Sequence, residues 1–445
     1  MKRYSKYKPS KINWLAEIPD EWVEWKISRI FKKISSGTTP KAGTPEYYEN
    51  GTIPWINTGD LNDSYLFDCK NYITEKAIKD HSTLKICDVD TLIIAMYGAT
   101  IGKTAITKFK ACTNQACCNL SESNIVDTKF AYYWFLASKE DIINLSYGGG
   151  QPNISQDVIK TLKISIPSSS EQKTIVQFLD YKTKLIDDFI ANRQKQIELL
   201  KEQLYFKIND AITKGINKNA PTKKTDIQYV PEIPVHWDIR KFKSLTSILT
   251  CGYASTPEYV DEEKGVAFLS AQNCRPFAMD LTKFNYIKPE LHKQLTRNKK
   301  PQKGDVLVTR VGAGIGQACM IDIDLEFSVY VSLTHIRPNK EILSEYIVYF
   351  FNTEYCYQLN HEGTVVAGGQ GNLNVKNVER YKIPLPPIEE QRQIVIYLDK
   401  YRQEMNEIIS KYQKQIDLMQ EYRTSLISQV VTGKIDVRDW KPKNN

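Results

Sequence analysis

The chain has 445 residues, a length for about two to four domains of ordinary size, and its 41% hydrophobic and 25% charged residues exclude global disorder. Its longest apolar runs, such as Thr91 to Tyr97, stay far below the roughly 20 residues that span a bilayer, so no membrane helix and no membrane partner are expected. Sixty Lys and Arg against 52 Asp and Glu leave a net charge of +8, which permits a polyanionic partner without requiring one.

In chain order, the basic N-terminal stretch from Met1 to Trp14 has no apolar run behind it, so export by a signal peptide is not expected. The nine cysteines are an odd number, carry no C-x-x-C spacing and include the adjacent Cys117 and Cys118. Reduced thiols in a cytoplasmic protein are the simplest account. None of the five histidines stands near a cysteine at ligand spacing, so no structural metal is expected.

The chain is then written twice. Glu17-Ile-Pro-Asp-Glu-Trp22 returns as Glu232-Ile-Pro-Val-His-Trp237, Gly98-Ala-Thr-Ile-Gly102 as Gly312-Ala-Gly-Ile-Gly316, and Gly149-Gly-Gln-Pro-Asn153 as Gly368-Gly-Gln-Gly-Asn372, at offsets of 215, 214 and 219. The last offset also aligns Glu171-Gln172 with Glu390-Gln391 and Leu179-Asp180 with Leu398-Asp399. Such self-similarity marks a tandem module. Each copy opens with short β-branched and aromatic runs cut by Gly, Pro and Asn, which predicts a mixed, strand-rich domain over 1–170 and again over 219–388.

Each copy closes with a span free of proline and glycine, Ser170 to about Thr213 and Glu389 to about Thr432, bounded by proline before and glycine after. That pattern predicts a long helix in 171–218 and another in 389–445, which also holds the C-terminal tail. Apolar steps of three and four residues run through Ile186, Ile190, Ile197, Leu200 and Leu204 in the first, and through Met405, Ile409, Ile416, Met419 and Leu426 in the second. A narrow seam of this kind predicts that the two helices pair as an antiparallel coiled coil. The expected fold class is therefore α+β, with two tandem mixed α/β domains separated by two long helices and related by a pseudo-two-fold axis.

Gly98 to Thr104 follows a strand-like run and resembles a phosphate loop, but it has three residues between its glycines where that motif needs four, which predicts a tight turn. No methyl-donor loop, nucleophile elbow, H-E-x-x-H pair or His/Cys cluster is present, so no catalytic residue is expected. Between Tyr286 and Arg310 seven basic residues face two acids, interleaved with Tyr, Asn and Gln, a mixture that suits phosphate anchoring and base-edge contacts. Candidate DNA contacts are Lys41, Tyr47, Lys103, Gln115, Gln151 and Asn153 in the first domain and Gln272, Asn273, Arg275, Arg297, Arg310 and Gln370 in the second. Arg can bridge a guanine edge and Asn or Gln an adenine edge.

The ordered set Glu17-Ile-Pro-x-x-Trp22, Gly37-Thr-Thr-Pro40, Ile53-Pro-Trp55, the glycine turn at 98–102, Thr113-Asn-Gln115, Gly149-Gly-Gln-Pro-Asn-Ile154 and the Glu-Gln opening of the long helix resembles the DNA specificity subunit of type I restriction-modification systems. The second copy departs from it at Cys251 to Pro257 and at Ser332 to His335. The resemblance implies two target recognition domains that each read half of a bipartite duplex site, in a subunit noncatalytic by itself and free of cofactors. It also implies two modification subunits carrying the methyl donor S-adenosylmethionine, and restriction subunits that use ATP and Mg. Two other readings stay open on the residues alone: a stand-alone methyltransferase or nuclease with divergent motifs, and a coiled-coil scaffold for protein partners.

Overall fold

The computed structural model describes residues 2–146, 153–312, 314–362, 364–367 and 370–441. Its element order is dominated by two helices, Ser169–Lys214 of 46 residues and Ile388–Val431 of 44. Each starts within a residue of the position expected from the break after proline. At the first helix start the Ser168 hydroxyl accepts from the Glu171 backbone N–H, one of the donors a helix leaves unpaired there.

The chain forms two compact units, 1–193 with 414–445, and 194–413. The sequence boundaries follow the elements; the units instead cut both helices, so each unit contains one half of each. The physical reason is length: at 1.5 Å per residue these helices run to roughly 65 to 70 Å, more than one head can bury.

In the first unit a five-stranded mixed sheet has the spatial order Lys33–Ser36, Cys117–Ser121, Leu92–Ala95, Thr104–Thr107, Ser64–Leu66. A smaller sheet joins Ile53–Ile56 in parallel to Cys112–Thr113 and antiparallel to Tyr72–Ile73. The second unit repeats the plan. Thr246–Cys251, Leu333–Pro338, Val306–Thr309 and Ala318–Met320 form the main sheet, and Val266–Leu269 pairs in parallel with Phe327–Val329 and antiparallel with Asn285–Ile287. The alternation of buried and turn residues in the sequence thus yields the same strand order twice, with one strand fewer in the second main sheet.

The helices are built into these cores. Trp22, Phe130, Trp134, Ile175, Leu179 and Ile186 share a buried cluster with Leu426, Val430 and Ile435 in the first unit. Trp237, Phe242, Tyr346, Phe350, Ile394 and Leu398 share one with Ile208 and Ile212 in the second. Each module therefore docks on the start of its own helix and on the end of the other. At the second helix end Gly433 has φ +74°, and a Cβ there would lie 2.4 Å from the Pro19 ring, so only glycine lets the chain turn against the Glu17–Pro19 segment. Beyond it the Asp436 amide donates to the Lys2 carbonyl at 2.9 Å, joining the tail to the N-terminal segment.

The repeated Glu-Gln is the latch between head and helix. Gln172 accepts from the Asp127 amide at 2.7 Å and donates to the Ile125 and Pro167 carbonyls. Gln391 makes the same three bonds to Leu343, Glu341 and Pro386. About two turns further on, Asp180 accepts from the Tyr133 hydroxyl at 2.7 Å and Asp399 from the Tyr349 hydroxyl at 2.6 Å.

Candidate nucleic-acid interface

The glycine turns are hairpin connections. Gly98 to Lys103 links Leu92–Ala95 to Thr104–Thr107, and three of its amides are spent within the turn and its strands: Ile101 on Gly98, Lys103 on Thr100, Gly102 on Ala95. In the second unit Ile315, Gln317 and Gly316 bond in the same way to Gly312, Gly314 and Thr309. A turn that joins two strands leads into no helix, so it lacks the helix N-terminus on which a nucleotide phosphate is cradled. Beside each turn an asparagine makes a β-bridge: Asn153 to Tyr97, and Asn372 to Val311.

The expected contacts fall into three groups. Lys41, Gln115, Asn153, Gln272, Arg275 and Arg297 are exposed, and Tyr47 and Lys103 are half-buried. Several are restrained: Gln115 accepts from the Thr39 hydroxyl, Gln272 donates to the Lys283 carbonyl, and Arg275 pairs with Asp280 at 3.4 Å. The Tyr47 hydroxyl donates to Asp80, while the ring lies edge-on to His81. Gln151 lies outside the described residues, and only the backbone of Gln370 is described, on the strand Gln370–Leu373.

Arg310 and Asn273 form the third group, and for them the structure corrects the expectation. Arg310 is 8% exposed, and its guanidinium donates to the Leu373 and Val331 carbonyls at 3.0 and 3.1 Å and to the Asn372 side chain at 3.2 Å. Three of its five N–H donors are spent on these oxygens and the group is buried, which withdraws it from a guanine edge. Asn273, 1% exposed, accepts from the Ser270 amide and donates to the Asp280 and Lys283 carbonyls, which fixes a tight turn.

Behind the second main sheet lies a charged group that sequence reading did not single out. Asp305 is 1% exposed and accepts from His335 Nε2 at 2.6 Å, from Arg337 Nε and Nη2 at 2.8 Å each and from the Gln302 amide at 3.0 Å. Burial alone would raise this carboxyl, but the bonds from His335 and Arg337 outweigh it and hold it below the ordinary carboxylate range. The one sequence signal was the departure from the first module at Ser332 to His335.

On the helices, Ile186 and Leu426 lie in the first unit's core, with Ile190 and Met419 packed against it. Arg423 crosses to Asp187 beside them at 2.9 Å. In the second unit Leu204 and Ile409 line one cavity. Ile197 and Ile416 are buried, Leu200 and Met405 half-buried. All ten expected seam positions are thus withdrawn from full exposure, while Leu199 and Leu418 just outside the seam are each 53% exposed.

No cluster of His, Cys, Asp and Glu suited to a metal occurs among the described residues, and none of their helices is long and apolar enough to cross a membrane. Two copies of one loop-bearing head, joined by long helices, define a tandem recognition protein. The sequence profile described as "Type I restriction modification DNA specificity domain" matches twice, at residues 19–199 and 234–418, and the chain belongs to that family. It is 26% identical over 445 residues to the type I restriction enzyme MjaIX specificity subunit of Methanocaldococcus jannaschii, with 96% of both chains covered. It is 21% identical over 448 residues to the EcoKI specificity subunit of Escherichia coli (strain K12), covering 96% of this chain and 92% of that one. Among solved structures, a chain from a type I R-M system studied for complex assembly and conformational transition aligns with a TM-score of 0.71 at 14% identity, covering 94% of this chain and 99% of that one. The HsdS subunit from Thermoanaerobacter tengcongensis aligns with a TM-score of 0.52, also at 14% identity, over 94% and 98%. At these identities the structural likeness establishes the shared fold.

Proposed function

We propose that this chain reads a bipartite duplex DNA site, one half with each recognition domain, and directs adenine methylation and restriction by partner subunits in the cytoplasm. The observation that carries this reading is duplication with divergence: one strand order, one glycine turn and one Glu-Gln latch occur twice, while the loop residues around them differ between the copies. A repeated scaffold with unlike reading loops suits two unlike half-sites. Two modification subunits supply the methyl donor S-adenosylmethionine, and the restriction subunits use ATP and Mg; this chain supplies the address. The exposed candidates Lys41, Gln115, Asn153, Gln272, Arg275 and Arg297, with Lys103 and Tyr47, face the DNA.

The test is methylome sequencing of a host that expresses this chain with its modification partner. A bipartite adenine-methylated motif is expected. Replacing residues 1–170 by an equivalent domain from a relative then changes one half of that motif and leaves the other intact. Joint change of both halves, or methylation by the purified chain without its partner, overturns the reading.

A further inference from the structure

The second recognition domain carries a cleft of about 370 Å³ between the strand end and loop Thr250–Tyr253 and the segment Gln294–Pro301, which runs out of the helix Pro289–Thr296. Its wall is rigid. The Gly252 amide donates to the Leu333 carbonyl at 3.1 Å and the Tyr253 amide to the Val329 carbonyl at 2.9 Å, and the Tyr253 carbonyl accepts from the Val331 amide. Gly252 packs so closely that a Cβ there would lie 2.2 Å from the Val329 oxygen.

The cleft is cationic and has no acid of its own. Arg297 and Lys299 line it together with the polar Thr250, Tyr253, Asn298 and Ser328, and no Asp or Glu is among its described lining residues. Neither cation has a carboxylate partner among the described residues, and Lys299 Nζ donates only to the Thr250 hydroxyl, at 3.0 Å. The nearby acids are committed elsewhere: Asp305 to His335 and Arg337, and Glu326 to Lys300 and His292. The Thr250 hydroxyl donates to the Cys251 carbonyl and the Gly252 and Tyr253 amides are spent on the sheet, so what the cleft offers a phosphodiester is two cations on a walled space with no carboxylate in its described lining.

We infer that this cleft seats one backbone phosphate of the DNA read by the second domain, with Arg297 and Lys299 as its cationic ligands and Thr250 positioning Lys299. The inference rests on the DNA-reading function proposed above, and it gives Arg297 a sequence-independent anchoring role. The first domain lacks one of the two cations: at an offset of 214 Lys85 matches Lys299, but Thr83 stands where Arg297 does. The seat therefore orients the second domain and not the first.

The experiment uses the complex of this chain with its modification subunits and a duplex carrying its motif, with the R297Q/K299Q double variant as the probe. Both side chains are exposed, so folding is expected to survive, and the variant's melting curve checks it. The double variant should lose roughly three- to tenfold in affinity at moderate salt, and the slope of log K against log salt should fall by about one, with the methylated motif unchanged. Cys251, the one exposed cysteine, lines the same cleft and reports its occupancy. Its maleimide labelling, followed by peptide mass spectrometry, should slow several-fold when the duplex is added and not when inorganic phosphate is added at the same phosphate concentration.

A parent complex that binds the duplex in a salt-dependent way, with a double variant of unchanged affinity and slope, overturns the phosphate seat and leaves DNA reading intact. Relaxation of the second half-site in the variant overturns it in favour of base contact. Protection of Cys251 by inorganic phosphate but not by DNA overturns it in favour of a free phosphate ligand. If the parent shows no salt-sensitive DNA binding, the proposed function itself fails.

Discussion

The two recognition domains share a scaffold and differ in what they bury within it. In the first main sheet the positions Thr91, Asn119 and Ser121 are neutral: the Thr91 hydroxyl donates to the Asp88 carbonyl, and Asn119 donates to Thr113 at 2.8 Å. Registered against the second sheet, these positions are Asp305, His335 and Arg337. Met96 of the first corresponds to the buried Arg310 of the second, at the same offset as the glycine turns. One strand order thus accepts either a neutral or an ionic interior, and the neutral one tolerates an Asn119 Oδ1 that finds no hydrogen-bond partner among the described residues. The heads need only agree on the surfaces that meet the helices, and there they do agree, in the Gln172 and Gln391 latches and the Tyr133–Asp180 and Tyr349–Asp399 bonds.

The largest expected effect comes from changing what the two domains have in common. The units divide between Arg193 and Gln194 and between Gln413 and Lys414, within one residue of equivalent positions on the two helices at the 219 offset. Inserting four residues at both points lengthens each helix by roughly 6 Å, a little under two base pairs at 3.4 Å per pair. Four residues also keep the three-four seam nearly in phase, so folding should survive. The methylated motif should gain one or two unspecified base pairs with both halves unchanged. An unchanged spacer in an active complex would mean that the partners or the DNA, and not helix length, position the heads.

The next effect separates the two interiors. Removing the carboxylate with Asp305→Ala leaves the buried His335 without its partner and Arg337 with only the Lys300 carbonyl as acceptor, which should cost the second unit about 3 kcal/mol. Thr91→Val in the first unit removes one neutral hydrogen bond, worth about 1 kcal/mol. Hydrogen exchange read peptide by peptide should show opening confined to 246–338 in the first variant and a far smaller change around 92–121 in the second. Because the Asp305 carboxyl is held below its unfolded value, its contribution is present above about pH 4 and is lost as the pH falls through the folded value. The acid limb of exchange in 246–338 should accordingly flatten in Asp305→Ala; an unchanged limb would place the acid sensitivity elsewhere.

The features legible in the sequence were those with a period or a punctuation mark. The duplication, both helix starts and the tight glycine turns all follow from spacing and from Gly or Pro at fixed offsets. Arg310 and Asn273 were not legible, because a basic residue after a strand and an Asn in a turn look alike whether they face solvent or a crossing backbone. What buries Arg310 is the Leu373 carbonyl, 63 residues away, and no local pattern encodes that approach. The division of each helix between two units was also hidden. The repeat aligns each helix with its own module, whereas contacts such as Gly433 against Pro19 join opposite ends of the chain.

The smallest effect tests the repeated tryptophan, where the sequence match is complete and the chemistry is not. Trp22 and Trp237 are both fully buried at the helix ends. Trp22 Nε1 donates at 3.1 Å to Glu171, which also accepts from the Tyr4 hydroxyl at 2.6 Å. The matching Glu390 instead pairs with His236 at 2.7 Å, and Trp237 Nε1 has no hydrogen-bond partner among the described residues. Substituting phenylalanine at either site removes the same volume, so the packing loss is nearly shared and the difference reports the polar term. Trp22→Phe leaves the buried Glu171 short of a donor and should cost about 1 kcal/mol more than Trp237→Phe, which removes an N–H that was already unsatisfied. Urea titration of both variants, read through hydrogen exchange in each unit, measures the gap. Equal costs would mean that a water serves Trp237 as Glu171 serves Trp22, and that the two sockets differ in geometry but not in energy.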